Sequence, residues 1–240
     1  MIDFQEEHFP SVKAVTPLLE SAVGKFMRQR QSFMLAAALA VLVTISSAAS
    51  TAQVRPGEAS ARQEFLKKLA GAAVERSHHA VRYDPAYVRI GYPGGDVPAD
   101  TGVCTDEIIR AYRAVGIDLQ REVHEDMEHN FSAYPRKWRR LSGHTDTNID
   151  HRRVPNLMAF FSRKGEALAI TRRAEDYSPG DLVTWDLGGN VPHIGIVVDQ
   201  ESAGSGRYMI LHNIGQGPKI EDVVFNWKIT GHYRYYGPSL

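Results

Sequence analysis

The sequence predicts an α+β fold, with helices first and an antiparallel sheet afterwards. Apolar residues recur at spacings of three and four through successive segments between Gly57 and Arg163. From Asp181 onward the period shortens, and β-type runs are divided by Gly, Pro, Asn, Asp and Ser. The 240 residues, 43% apolar and 23% charged, are enough for one domain with a sizeable core.

Taken in order, the first feature is Phe33 to Ile45, FMLAAALAVLVTI, an uncharged run of signal-peptide length flanked by Arg28 and Arg30. Small residues at Ser47 and Ala49, or Ser50 and Ala52, suit signal peptidase, so a signal peptide over 27–52 is expected. An uncleaved anchor and a buried core helix are the alternatives. The stretch before it carries Asp3, Glu6, Glu7 and Glu20, unlike a basic signal start, and Met27 is the expected start of translation. Residues 53–240 then form a single domain, periplasmic or secreted, with no membrane association after cleavage.

Gly57 to Val81 places Phe65, Leu66, Leu69, Ala72, Ala73 and Val74 on one helical face, with a start near Ser60. Arg82 to Asp100 is rich in Tyr, Pro, Gly and Asp and predicts a loop. Cys104 to Gly116 predicts a helix with Ile108, Ile109, Tyr112 and Val115 inward and Gly116 as its stop. Arg121 to Arg140 carries Met127, Phe131, Tyr134 and Trp138 at helical spacing, and Arg152 to Arg163 predicts a helix opened by Pro155. The predicted strands are Asp181–Trp185, His193–Val198, Tyr208–His212 and Lys228–Tyr236.

The charge balance of 28 basic and 28 acidic residues leaves no nucleic-acid footprint, so no nucleic-acid partner is expected. The single cysteine excludes an intramolecular disulfide, a CxxC redox pair and a zinc site of several thiolates. Its place at a helix start supplies N–H groups and a dipole that favour the thiolate, and the thiolate is the form that attacks a carbonyl. The histidine expected to serve it is His193, at the head of the most apolar strand, with Gly195 leaving space beside the ring. His212 closes the next strand, where hairpin pairing brings it near His193 to orient it. Asn213 and Asp199 are lesser candidates for that role.

Tyr92-Pro93-Gly94-Gly95, Cys104, Gly180-Asp181-Leu182-Val183, His193-Ile194-Gly195-Ile196 and Leu211-His212 follow one another in an order that resembles the NlpC-type branch of papain-like cysteine peptidases. The resemblance covers about Tyr87 to Tyr236 and implies a papain-like fold with the nucleophile helix packed on the sheet. It also implies Cys104, His193 and His212 as catalytic residues, and Tyr92 near the site. It departs from the family at Val103 before the cysteine and at Thr105-Asp106 after it, where Asp and Ser-Gly are usual. The segment DTNIDHRRVPN, 146–156, has no counterpart in the ordinary members. Within it Asp150, His151 and Arg152 read either as a substrate clamp or as a solvated helix start.

An exported enzyme of this kind is expected to cut an amide or peptide bond in peptidoglycan stems, without cofactor or metal. Two other readings stand beside it. One is a non-catalytic wall-binding module on the same fold. The other is a metal hydrolase drawing on His144, Asp146, Asp150, His151, His193 and His212, which lack HExxH spacing.

Overall fold

The computed structural model describes residues 56–135 and 143–239. The expected signal segment 27–52, the start at Met27 and the side chain of Trp138 lie outside them.

Among the described residues, four α-helices precede the sheet: α1 (Pro56–Arg76), α2 (Cys104–Ala114), α3 (Leu119–Asn130) and α4 (Val154–Lys164). The first starts earlier than Ser60, on Pro56, whose fixed φ suits a first helical turn. Gly116 adopts φ +89° beyond α2 and lets the chain turn away, as its place in the sequence predicts. Between α1 and α2 the expected loop holds two short strands, β1 (Arg82–Tyr83) and β2 (Thr101–Gly102), paired in parallel.

Six strands form one sheet: β3 (Glu166–Ala167), β4 (Leu182–Asp186), β5 (Pro192–Glu201), β6 (Tyr208–Asn213), β7 (Pro218–Glu221) and β8 (Lys228–Arg234). Their order across the sheet is β3-β8-β4-β5-β6-β7, and every pairing is antiparallel. The α+β class with helices first and sheet last is thus the observed architecture. β3 and β7 are additions to the predicted set.

Both sheet faces are covered, and alternation along β5 serves both. Ile194, Ile196 and Val198 pack with Leu69, Ile108, Tyr112 and Phe161 of the helices. Val197 faces the other way, with Val183, Trp185, Ile210 and Val224. A strand clothed on both sides reads as the unbroken apolar run seen at 194–198.

The Gly180-Asp181 pair has a packing reason. At φ +90°, a Cβ on Gly180 would lie 2.8 Å from the Cβ of Leu66, so α1 seats directly on this turn. Asp181 is fully buried and accepts from Ser178 N (2.9 Å), His232 Nε2 (2.8 Å) and the Arg234 guanidinium. It fastens the entry of β4 to β8.

Candidate active site

The α2 start is built from its own sequence. Val103 N donates to Asp106 Oδ2 at 2.7 Å, so the third helical residue satisfies the donor before the first. Asp106 also takes a bidentate pair from Arg152, with Nε to Oδ1 at 2.8 Å and Nη2 to Oδ2 at 3.0 Å. Thr105 Oγ1 donates to the Arg152 carbonyl at 3.1 Å. Thr105 and Asp106, two of the residues that depart from the family pattern, therefore hold the 150–152 segment against the helix start.

Cys104 is 5% exposed, and the backbone N–H groups of Ile194, Thr105 and Cys104 act on its sulfur to favour the thiolate. The Ile194 N–H is available for a structural reason. Val197 N donates to Asp181 O on the β4 side, so alternate N–H groups along β5 point toward β6. The β5–β6 pairing ends at Ile196↔Leu211, short of Ile194. Burial pushes the Cys104 thiol up to about 12. The charge of Asp106 adds to the rise, and the three N–H groups do not offset it. The expected thiolate at a helix start is therefore corrected: with the sulfur this deeply desolvated, the resting group is a thiol.

His193 and His212 meet as predicted, with His193 Nε2 and His212 Nδ1 2.9 Å apart. Gly195 permits this approach, since a Cβ there would lie 2.5 Å from Ile210 Cγ2, 2.8 Å from Leu211 O and 3.3 Å from His212 Cβ. Trp227 stands edge-on to both rings at 6.2 and 6.1 Å, and Trp185 lies 5.9 Å from His193. Burial pushes His193 down to about 3, and His212 adds to the fall; His212 is itself lowered by burial against the pull of Glu221. Both rings are neutral at neutral pH. No hydrogen bond joins the thiol to either ring; Ile194, whose backbone N–H acts on the thiol, follows His193 directly in β5.

Glu221 was absent from the sequence reading. His212 Nε2 lies 2.9 Å from Glu221 Oε2, and a cavity of about 120 Å³ opens there between His212, Ile214, Gly217, Lys219 and Glu221. Glu221 stands on a four-residue strand after Gly215-Gln216-Gly217, too short for a periodic signal; its only clue is a carboxylate two residues beyond the position opposite His212. Asn213 is also more than a lesser candidate. It is fully buried, its Oδ1 accepts from Gly215 N at 3.1 Å, and its Nδ2 has no partner. Asp199 lies far along β5, on a groove beside α1.

The remaining expected residues lie elsewhere. Tyr92 stands edge-on to His124 at 5.2 Å, on the α3 side. Tyr83, whose register partner is Gly102 two residues before Cys104, has its phenol raised by burial and then by the charges of Cys104 and Asp106. Asp150, His151 and Arg152 are all buried, so they are not a solvated helix start. Asp150 Oδ2 accepts from Asp146 N at 2.6 Å and faces His124 Nδ1 at 3.2 Å, while Arg152 Nη1 donates to Ala86 O at 3.0 Å. Burial pushes His151 down to about 3, and its Nδ1 has no partner. Among the described residues, no group of three or more His, Cys, Asp and Glu is placed to hold a metal ion.

The sequence pattern of the family described as "Domain of unknown function (DUF1287)" matches residues 70–235. The chain is 48% identical over 168 residues to the protein of Escherichia coli (strain K12) described as "Uncharacterized protein YijF", a match spanning 70% of this chain and 80% of that one. Solved structures of NlpC2 and NlpC1 from Trichomonas vaginalis align at 15% and 17% identity with TM-scores of 0.39 and 0.36. These alignments cover 72% and 71% of this chain, and the chain spans less than half of either of those proteins, 47% and 44%.

Proposed function

The chain belongs to the DUF1287 family, and from the chemistry of its site we propose that it is an exported cysteine hydrolase that cleaves an amide bond in peptidoglycan stem peptides. The observation that carries this reading is the buried His193–His212 pair, 2.9 Å apart, at the strand ends where the Cys104 thiol lies. Two imidazoles desolvated against each other, beside a thiol turned toward backbone N–H groups, are costly to bury. Nothing in the packing of the core calls for them.

The resting thiol and rings are neutral, so the proton leaves sulfur during attack. His193 takes that proton as the Cys104 sulfur bonds to the carbonyl carbon. The oxyanion formed meets the Cys104 N–H at the helix start and the unpartnered Nδ2 of Asn213. Asn213 lies two residues beyond Leu211 in β6, on the face where Leu211 packs with Cys104, and its Nδ2 is offered to the oxyanion. His193 then passes the proton to the leaving amine, and a thioester remains. Water, deprotonated by His193, releases the acid and restores the thiol.

Incubation with peptidoglycan and mass analysis of the fragments tests this reading. The wild type is expected to release new stem-peptide ends and Cys104→Ala none. Equal fragments from both, or none from either across pH, would overturn it. The deep burial of Cys104 favours a second reading, a wall-binding module on the same fold. Retention on sacculi by both proteins without turnover supports the module.

A further inference from the structure

We propose that Glu221 is a positioning residue that sets which nitrogen of His193 carries the proton. This rests on the hydrolase reading for its purpose, and on hydrogen-bond direction for its substance. A carboxylate only accepts, so the 2.9 Å contact at His212 Nε2 requires the proton on that nitrogen. Neutral His212 then has a bare Nδ1, which at 2.9 Å from His193 Nε2 must accept. His193 in turn carries its proton on Nε2 and keeps a lone pair on Nδ1. That Nδ1 is the one ring nitrogen of the pair left free to accept a proton. A single acceptor at the far end thus orders two tautomers and produces one base.

The burial of both rings makes the direction matter. Burial lowers both rings and so disfavours a second proton on either, which keeps the order set by Glu221. Glu221 itself is half-exposed, at the mouth of the small cavity, and can be exchanged with little disturbance of the core. A glutamine at 221 can still accept through its carbonyl oxygen and keeps the order. A lysine can only donate: His212 would accept at Nε2 and donate from Nδ1, and the proton of His193 would move to Nδ1 and abolish the base.

Long-range proton–nitrogen spectra of full-length, histidine-labelled protein separate protonated from bare ring nitrogens without reference to any substrate. His193→Gln and His212→Gln serve to assign the signals. In the wild type and Glu221→Gln, His193 is expected protonated at Nε2 and bare at Nδ1; in Glu221→Lys the two exchange. Should the lysine variant fail to fold, Glu221→Ala is expected to give a mixture of both forms. A wild-type proton on Nδ1, or an unchanged pattern in the lysine and alanine variants, overturns the proposal.

In turnover, kcat/KM is expected to fall by about 10–100-fold in Glu221→Ala, the usual loss when an outer hydrogen-bond partner of a histidine is removed. It should stay within a few-fold in Glu221→Gln. A wild type with the expected tautomers and no hydrolysis counts against the hydrolase reading and leaves the proton order standing.

Discussion

The site shows which single side chains can be recognised from residue type and which need their partners in view. Cys104, His193 and His212 were legible because each sits at the end of a periodic element, and the turn after β5 sets β6 alongside it. Tyr83 was not, because a two-residue parallel pairing has no local signature and three tyrosines precede the cysteine. Asn213 stood in the right strand, and its alternation puts it with Leu211, on the side of the sheet where Cys104 packs. Replacing it with leucine removes a buried donor and leaves the histidine pair untouched. We expect kcat to drop by about 10²–10³-fold with KM little changed, the loss typical of an oxyanion donor. Steady-state kinetics on muropeptides checks this, and equal losses in kcat/KM and binding affinity would assign Asn213 to substrate binding instead.

At the scale of elements, the contact that deserves testing is the one between α2 and the 150–152 segment. The sequence of that segment leaves open a clamp or a solvated helix start because the partners are remote: Asp106 lies 46 residues from Arg152, and His124 lies 26 from Asp150. Arg152→Ala strands the buried Asp106 carboxylate at the first turn of α2 and is expected to cost about 3–5 kcal/mol, read from the urea midpoint. Replacing both residues with apolar ones of similar size should recover most of that loss; failure to recover it would show that Asp106 acts mainly through Val103 N. Between strands, Gly195→Ala must push β5 and β6 apart, since Leu211 O is backbone and cannot turn aside. We expect about 1–3 kcal/mol of destabilisation and loss of the His193–His212 hydrogen bond in the histidine spectra.

For the whole molecule, the buried titratable groups bracket the pH range of greatest stability. His193 and His151 fall from the ordinary 6.5 to about 3 on folding, so below 6.5 the unfolded chain binds more protons than the folded one. Their contribution is complete above 6.5 and is lost as pH falls toward 3. Cys104 behaves oppositely: raised from 9.0 to about 12, its neutral form favours the fold, and that contribution is complete below 9 and is lost as pH climbs toward 12. Chemical denaturation at a series of pH values is therefore expected to show a plateau between about 6.5 and 9. His151→Gln should flatten the acid limb and Cys104→Ala the alkaline one; unchanged limbs would place these groups in contact with solvent.

The bridge from Asp106 to Arg152 also constrains how such a chain can change over generations. A lineage that drops the arginine first must live with a carboxylate stranded under the nucleophile helix. One that drops the aspartate first keeps a guanidinium with no counter-charge. Either intermediate carries a heavy handicap, so the two positions are tied in inheritance. Among relatives, an acidic residue two places after the cysteine should travel with an arginine where Arg152 stands, and chains with glycine in the first place should have lost the second.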